Sequence, residues 1–166
     1  MRRGGDSLRF GVVIALLVTL QFSVRSRLGN DRVAPDFLLL ALLIYTIRAR
    51  PGQSAAVGFL VGLIGDALTP ASFGAGALAH TIVGYLSSWA KAVFFAENLL
   101  VNGGLFFLGT WLRNAILILA SGKFSGPQLL WELLVWSPLE GVTTAVAGIF
   151  VLALFRQWLA IRLGES

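Results

Sequence analysis

Six ionisable side chains stand inside or at the ends of apolar runs: Asp36, Asp66, His80, Arg113, Glu132 and Glu140. A charge held at the centre of a bilayer costs about 2.5–3.5 kcal/mol on insertion scales, and pairing lowers that cost. Arg113 is therefore expected beside one of the four acids, and Glu140 is the acid most in need of a partner by its depth. Such a set has three uses: an ion pair that fixes helix packing, a pocket for a ligand, substrate or ion, or a contact with a partner protein. His80 is either a packed, hydrogen-bonded group or a proton-transfer residue. With one histidine and no cysteine, neither a multi-histidine metal site nor a thiolate site can form, so no metal and no cofactor is expected. The serines lack a histidine partner pattern and no glycine-rich phosphate loop is present. No catalytic residue is assigned, and the chain reads as a non-enzyme.

The stretch from Gly58 to His80 holds Asp66 among glycines, Gly58, Gly62, Gly65 and Gly74, with Gly76 just beyond and Thr69-Pro70 ending the run. Gly58-x-x-x-Gly62 is a small-x-x-x-small pattern that lets two helix backbones approach closely, and Asp66 continues that face one turn on. Packing within the chain is one reading of these glycines; a homodimer interface is the other.

The elements that must position these groups are membrane helices. The chain has 166 residues, 57% hydrophobic and 13% charged, against roughly a quarter charged in soluble domains. Its net charge of +5 does not indicate nucleic acid, because the basic residues sit at the ends of apolar runs, where they set membrane orientation. Six helices are predicted, over about 8–24, 35–47, 53–68, 75–90, 99–120 and 129–155, forming one integral membrane domain over residues 1–166. Pro35-Asp36 opens the second, with proline in the first turn and the acid at the positive end of the helix dipole. Pro51-Gly52 and Ser125-Gly126-Pro127 are read as turns, and Pro138 as a kink. The segment from Ala92 to Asn102 either lies along the surface or extends a neighbouring helix.

With both termini inside, the inner face holds Arg2, Arg3, Arg9, Arg48, Arg50, Lys91, Arg156 and Arg162. The outer face holds Arg25, Arg27, Arg32 and Lys123. This asymmetry favours cytoplasmic termini. It also places Asp36, Asp66, Arg113, Glu132 and Glu140 in the outer half, as one polar cluster or pocket.

Pro35-Asp36-Phe37-Leu38-Leu39-Leu40 followed by Tyr45 resembles the start of the second helix in the MreD family of rod-shape-determining membrane proteins. The run Gly58-Phe59, Gly62-Leu63-Ile64-Gly65-Asp66-Ala67-Leu68, Phe73-Gly74 and Ala77-Leu78 resembles that family's signature, and Gly84-Tyr85-Leu86 continues it. The family-signature positions are Pro35, Asp36, Tyr45, Gly62, Asp66 and Gly74. The resemblance implies an all-α bundle similar to the S components of energy-coupling-factor vitamin transporters, in the bacterial cytoplasmic (inner) membrane. It implies a non-enzymatic scaffold of the cell-elongation machinery that binds the transmembrane helix of MreC. Through MreC it would reach MreB and the RodA–class B penicillin-binding protein synthase, supporting peptidoglycan synthesis along the lateral wall. Two alternatives stand beside it. One is an S-component-like subunit that binds or transports a small molecule such as a vitamin, although the docking motif Ala-x-x-x-Ala is not evident in the first helix. The other is a lipid-binding membrane protein, with Arg25, Arg27 and Arg32 meeting phosphate groups or serving as ordinary interfacial anchors.

Overall fold

In the computed structural model the described residues are 3–23, 32–67, 73–94, 99–123 and 125–159, with side chains described outside 3–7, 91–94 and 156–159. They form α1 (Arg3–Ser23), α2 (Phe37–Thr46), α3 (Pro51–Ala67), α4 (Ala75–Phe94) and α5 (Leu99–Ser121). A sixth rod consists of α6 (Pro127–Trp131), one π-helical turn (Glu132–Trp136) and α7 (Ser137–Leu159). The architecture is all-α with the expected six rods, and no strand occurs among the described residues. Arg25, Arg27 and Thr69-Pro70 lie outside the described residues.

Several boundaries differ from the sequence expectation, each for a local reason. Pro51 is not in a turn but is the first residue of α3, a position where its missing N–H is no loss. Arg50 caps that helix: Ser54 N–H donates to Arg50 O at 2.9 Å, and Arg50 N–H donates to Gln53 Oε1 at 3.3 Å. The second bond has the reciprocal geometry of a capping box. Pro127 likewise starts α6, after Gly126 at φ 59°. Pro35 is not in the first turn of α2, because Asp36, with extended φ/ψ, takes the N-cap position. Between Ala92 and Asn102, α4 runs on to Phe94 and α5 begins at Leu99.

The core is built around α2. Its residues Leu38 to Ile44 are all buried, as is Thr46, the burial of a helix that is apolar all round. It packs against α1, α3, α4, α5 and α7. The core cluster joins Leu39, Leu40, Leu42, Leu43 and Ile44 to Val13 and Leu17 of α1, Val83 of α4, Phe106 of α5 and Leu152 of α7. At 10 residues the helix is about 15 Å long, half the roughly 30 Å hydrocarbon layer. Its ends therefore need partners from the protein itself.

α3 and α4 form the closest helix pair. The buried positions of α3 are Ser54, Gly58, Gly62 and Asp66, one per turn. They face Gly84, His80, Gly76-Ala77 and the start of α4 in antiparallel order. A methyl group on Gly58 would collide with the His80 carbonyl, and one on Gly62 with the Ala77 backbone. A methyl on Gly84 would lie 2.5 Å from Ser54 O. The Gly58-x-x-x-Gly62 face is thus consumed within the chain. Gly65 is looser, with Leu38 at 3.8 Å from its would-be Cβ, and Gly74 adopts φ 94°, which suits glycine.

The sixth rod answers to Pro138. Where a kink is expected at that proline, the helix changes register: Ser137 N–H donates to Glu132 O, five residues back. In that register Leu133 O faces Pro138, which has no N–H to give. The Trp111 indole of α5 fills the gap, donating to Leu133 O at 3.0 Å. The departure from helical φ/ψ inside α7 is at Phe155 (φ −106°, ψ 15°).

Gly58→Ala and Gly62→Ala should each destabilise the bundle by about 1–3 kcal/mol, because only backbone lies in the way. Gly11→Ala, inside α1 where nothing lies within 4 Å, should not destabilise, since alanine is the better helix former. Thermal unfolding in detergent checks the contrast; equal melting temperatures for all three would refute the close approach.

Candidate functional site

Polar groups gather where α2 and the sixth rod begin and α5 approaches its end. Asp36 anchors them. Its Oδ1 accepts from Leu38 N–H at 3.1 Å and Leu39 N–H at 2.9 Å. The amide oxygen of Gln21, from α1, accepts from Phe37 N–H at 3.0 Å and Leu38 N–H at 3.3 Å. The donors at the start of α2, which have no partner within the helix, are thereby met by two other side chains. The Asp36 N–H itself donates to Thr144 Oγ1 at 3.1 Å, and Thr143 Oγ1 donates to Val33 O at 2.7 Å. Both threonines belong to α7, so that helix holds the entry to α2 in place.

The second carboxylate oxygen of Asp36 meets Arg113 Nη2 at 3.2 Å. Arg113 Nη1 donates to Asn114 Oδ1 at 2.7 Å, and Asn114 Nδ2 donates to Glu140 Oε2 at 2.7 Å. A relay of charge and amide thus runs Asp36–Arg113–Asn114–Glu140 across α2, α5 and α7. The partner of Arg113 is Asp36, and Glu140 is reached through an asparagine rather than by the guanidinium. Nearer the surface, Arg32 Nη1 lies 3.1 Å from Glu132 Oε1, and the guanidinium sits 5.4 Å from the Trp136 ring centre. A pocket of about 180 Å³ opens between these groups, lined by Arg32, Asn114, Leu117, Trp136, Ser137 and Glu140 among others.

Asp66 is not part of this relay. Its carboxylate accepts from three backbone N–H groups: Gly74 at 2.9 Å, Gly76 at 3.0 Å and Ala77 at 2.9 Å. It caps α4 from the end of α3, and its partners are helix-end amides rather than Arg113. A Cβ on Gly76 would strike the Asp66 carboxylate, so glycine there lets the acid approach. His80 is buried, with Nδ1 2.8 Å from Gly76 O. Tyr45 serves through its carbonyl, which accepts from Arg48 N–H at 3.1 Å and Ala49 N–H at 3.2 Å at the far end of α2.

The sequence reading passed over Gln21, Asn114, Thr143, Thr144 and Trp111, each a polar group aimed at a backbone or charge partner. The available signal was polarity within an apolar run: Gln21 follows a long aliphatic stretch, and Asn114 adjoins Arg113. Among the described residues, no group of three or more His, Cys, Asp or Glu is arranged to hold a metal ion.

Arg113→Met should cost about 3–5 kcal/mol by stranding the buried Asp36 charge. The double variant Asp36→Asn/Arg113→Met should recover part of that loss, since asparagine still caps α2. Asp66→Ala should cost about 3 kcal/mol or more by removing bonds from three amides to a charged group. Unfolding midpoints of the purified variants decide both; strictly additive losses in the double variant would dismiss the Asp36–Arg113 coupling.

An all-helical bundle built on a fully apolar central helix, with charges turned inward and paired, is the construction of a helical membrane protein. Leu99–Ser121 and Pro127–Phe155 are each long and apolar enough to cross a bilayer, and Leu8–Ser23 and Phe37–Thr46 are shorter apolar helices. The family model described as rod shape-determining protein MreD matches residues 5–156, and the chain belongs to that family. No curated protein and no solved structure matches it.

Proposed function

We propose that this member of the rod shape-determining family is a non-catalytic scaffold of the cell-elongation machinery, seated in the bacterial cytoplasmic membrane. It binds the transmembrane helix of MreC and so supports peptidoglycan synthesis along the lateral wall. The observation that carries this reading is the family match over nearly the whole chain, residues 5–156. The interior chemistry supports it: Asp36, Arg113, Asn114, Glu140 and Asp66 are engaged with one another or with helix-end amides. That arrangement holds a shape rather than presenting reacting groups. The outside offers apolar faces for lipid or a partner helix, among them Val142, Val146, Phe150 and Leu154 on α7 and Leu78, Tyr85 and Trp89 on α4.

Co-expression with MreC should yield a defined complex that survives size-exclusion chromatography. Failure to capture MreC at near-native levels, from a monodisperse preparation, would remove the scaffold reading.

Six spans with cytoplasmic termini set a second expectation. The chain has no cysteine, so a single introduced cysteine can be labelled without background. Ser125→Cys should react with a membrane-impermeant maleimide in cells whose outer barrier is opened, and Ser166→Cys only after lysis. The reverse pattern would invert the topology.

A further inference from the structure

The pocket beside the relay has a charge order that matches a particular ligand. Glu140 lies at its floor, 7% exposed, and Asn114 beside it is equally covered. Arg32 stands at its mouth, with 56% of its side chain exposed. Trp136 walls it between the two, and its buried indole nitrogen has no hydrogen-bond partner among the described residues. Leu117 and Ile118, on the last turns of α5, complete an apolar side. A space of about 180 Å³ that opens to the outside takes a small polar group.

We propose that this pocket receives the headgroup of a zwitterionic phospholipid bearing a primary ammonium, its ammonium inward and its phosphate at the mouth. In such a lipid the ammonium is the group furthest from the glycerol and the phosphate lies behind it. A headgroup entering from the membrane surface therefore presents positive charge first and negative charge second. The pocket offers the complementary sequence, carboxylate at the floor and guanidinium at the rim. The Glu140 carboxylate accepts N–H donors at several lone-pair positions, which selects an ammonium that carries N–H groups. The Arg32 guanidinium, ion-paired with Glu132 at the rim, is a planar fork of donors whose geometry suits phosphate. The acyl chains would then run down the apolar side past Leu117 and Ile118. A headgroup without an ammonium, such as phosphoglycerol, brings no positive charge to Glu140. A quaternary ammonium brings no N–H donor.

The shared chemistry, an ammonium joined to a phosphate, also exists in free phosphoethanolamine, and the test separates the two sources. The full chain is purified in detergent and titrated with phosphatidylethanolamine, phosphatidylglycerol, phosphatidylcholine or phosphoethanolamine, reading bound species by native mass spectrometry. Phosphatidylethanolamine should bind about tenfold more tightly than the other two lipids, the value of one charge-assisted hydrogen bond, and free phosphoethanolamine should not compete at equal concentration. Glu140→Gln, which keeps an acceptor for Asn114, should abolish the preference while leaving phosphatidylglycerol binding unchanged. Ser121→Trp, at the rim on the end of α5, should block the pocket and remove the preference with the thermal unfolding midpoint unaltered. Equal affinity for the three lipids, competition by free phosphoethanolamine, or a preference that persists in folded Ser121→Trp protein would each overturn the proposal.

Discussion

The central helix is too short for the layer it occupies, and much of the structure answers that constraint. Ten residues span about half of a hydrocarbon layer, and the helix is surrounded by the other five rods. Backbone donors and acceptors left at its ends cannot reach water from such a position, and an unsatisfied group in an apolar medium costs several kcal/mol. At the start, Asp36 and Gln21 meet the donors. At the end, Thr46 Oγ1 donates to Leu43 O at 2.6 Å, and in the turn that follows Ser88 Oγ reaches over from α4 to Ala49 O at 2.7 Å.

That solution generates the polar interior. A carboxylate suits the positive end of a helix, but a buried carboxylate needs a counter-charge. Arg113 supplies it from α5, and the guanidinium is held in turn by Asn114, which reaches Glu140 on α7. Four helices are tied together at the start of α2: Arg113 of α5 and Thr144 of α7 meet Asp36, and Gln21 of α1 accepts from the Phe37 and Leu38 N–H groups. The relay is therefore the consequence of ending a helix inside the protein, and a pocket opens beside it at Asn114 and Glu140.

Asp66 solves the same problem for α4 by a different route. There the acid comes from the neighbouring helix, and glycines at 58, 62 and 76 bring backbone and carboxylate within reach. Asp36 and Asp66 are thus both helix caps. One is paired with an arginine. The other is satisfied by three amides, and His80 lies one turn along the same face of α4.

The sequence by itself determined the class: apolar runs, basic residues at their ends and an acid in a glycine stretch specify an all-helical bundle of six rods and the family. It also marked Asp36, Arg113 and Glu140 as groups that must turn inward, because the cost of burial is a property of the residue type. It could not say which acid Arg113 would meet, since that depends on how α2 and α5 cross. Nor could it separate Asp66 from the relay, because both acids sit at the same end of the bundle and only the approach of α4 hands Asp66 its amides. The register change at Glu132–Trp136 was equally out of reach. A proline announces a missing donor, but whether the chain bends or shifts register depends on a neighbour such as Trp111 standing where the freed carbonyl points. Local chemistry sets what each group needs; the packing of helices distant in sequence decides which partner provides it.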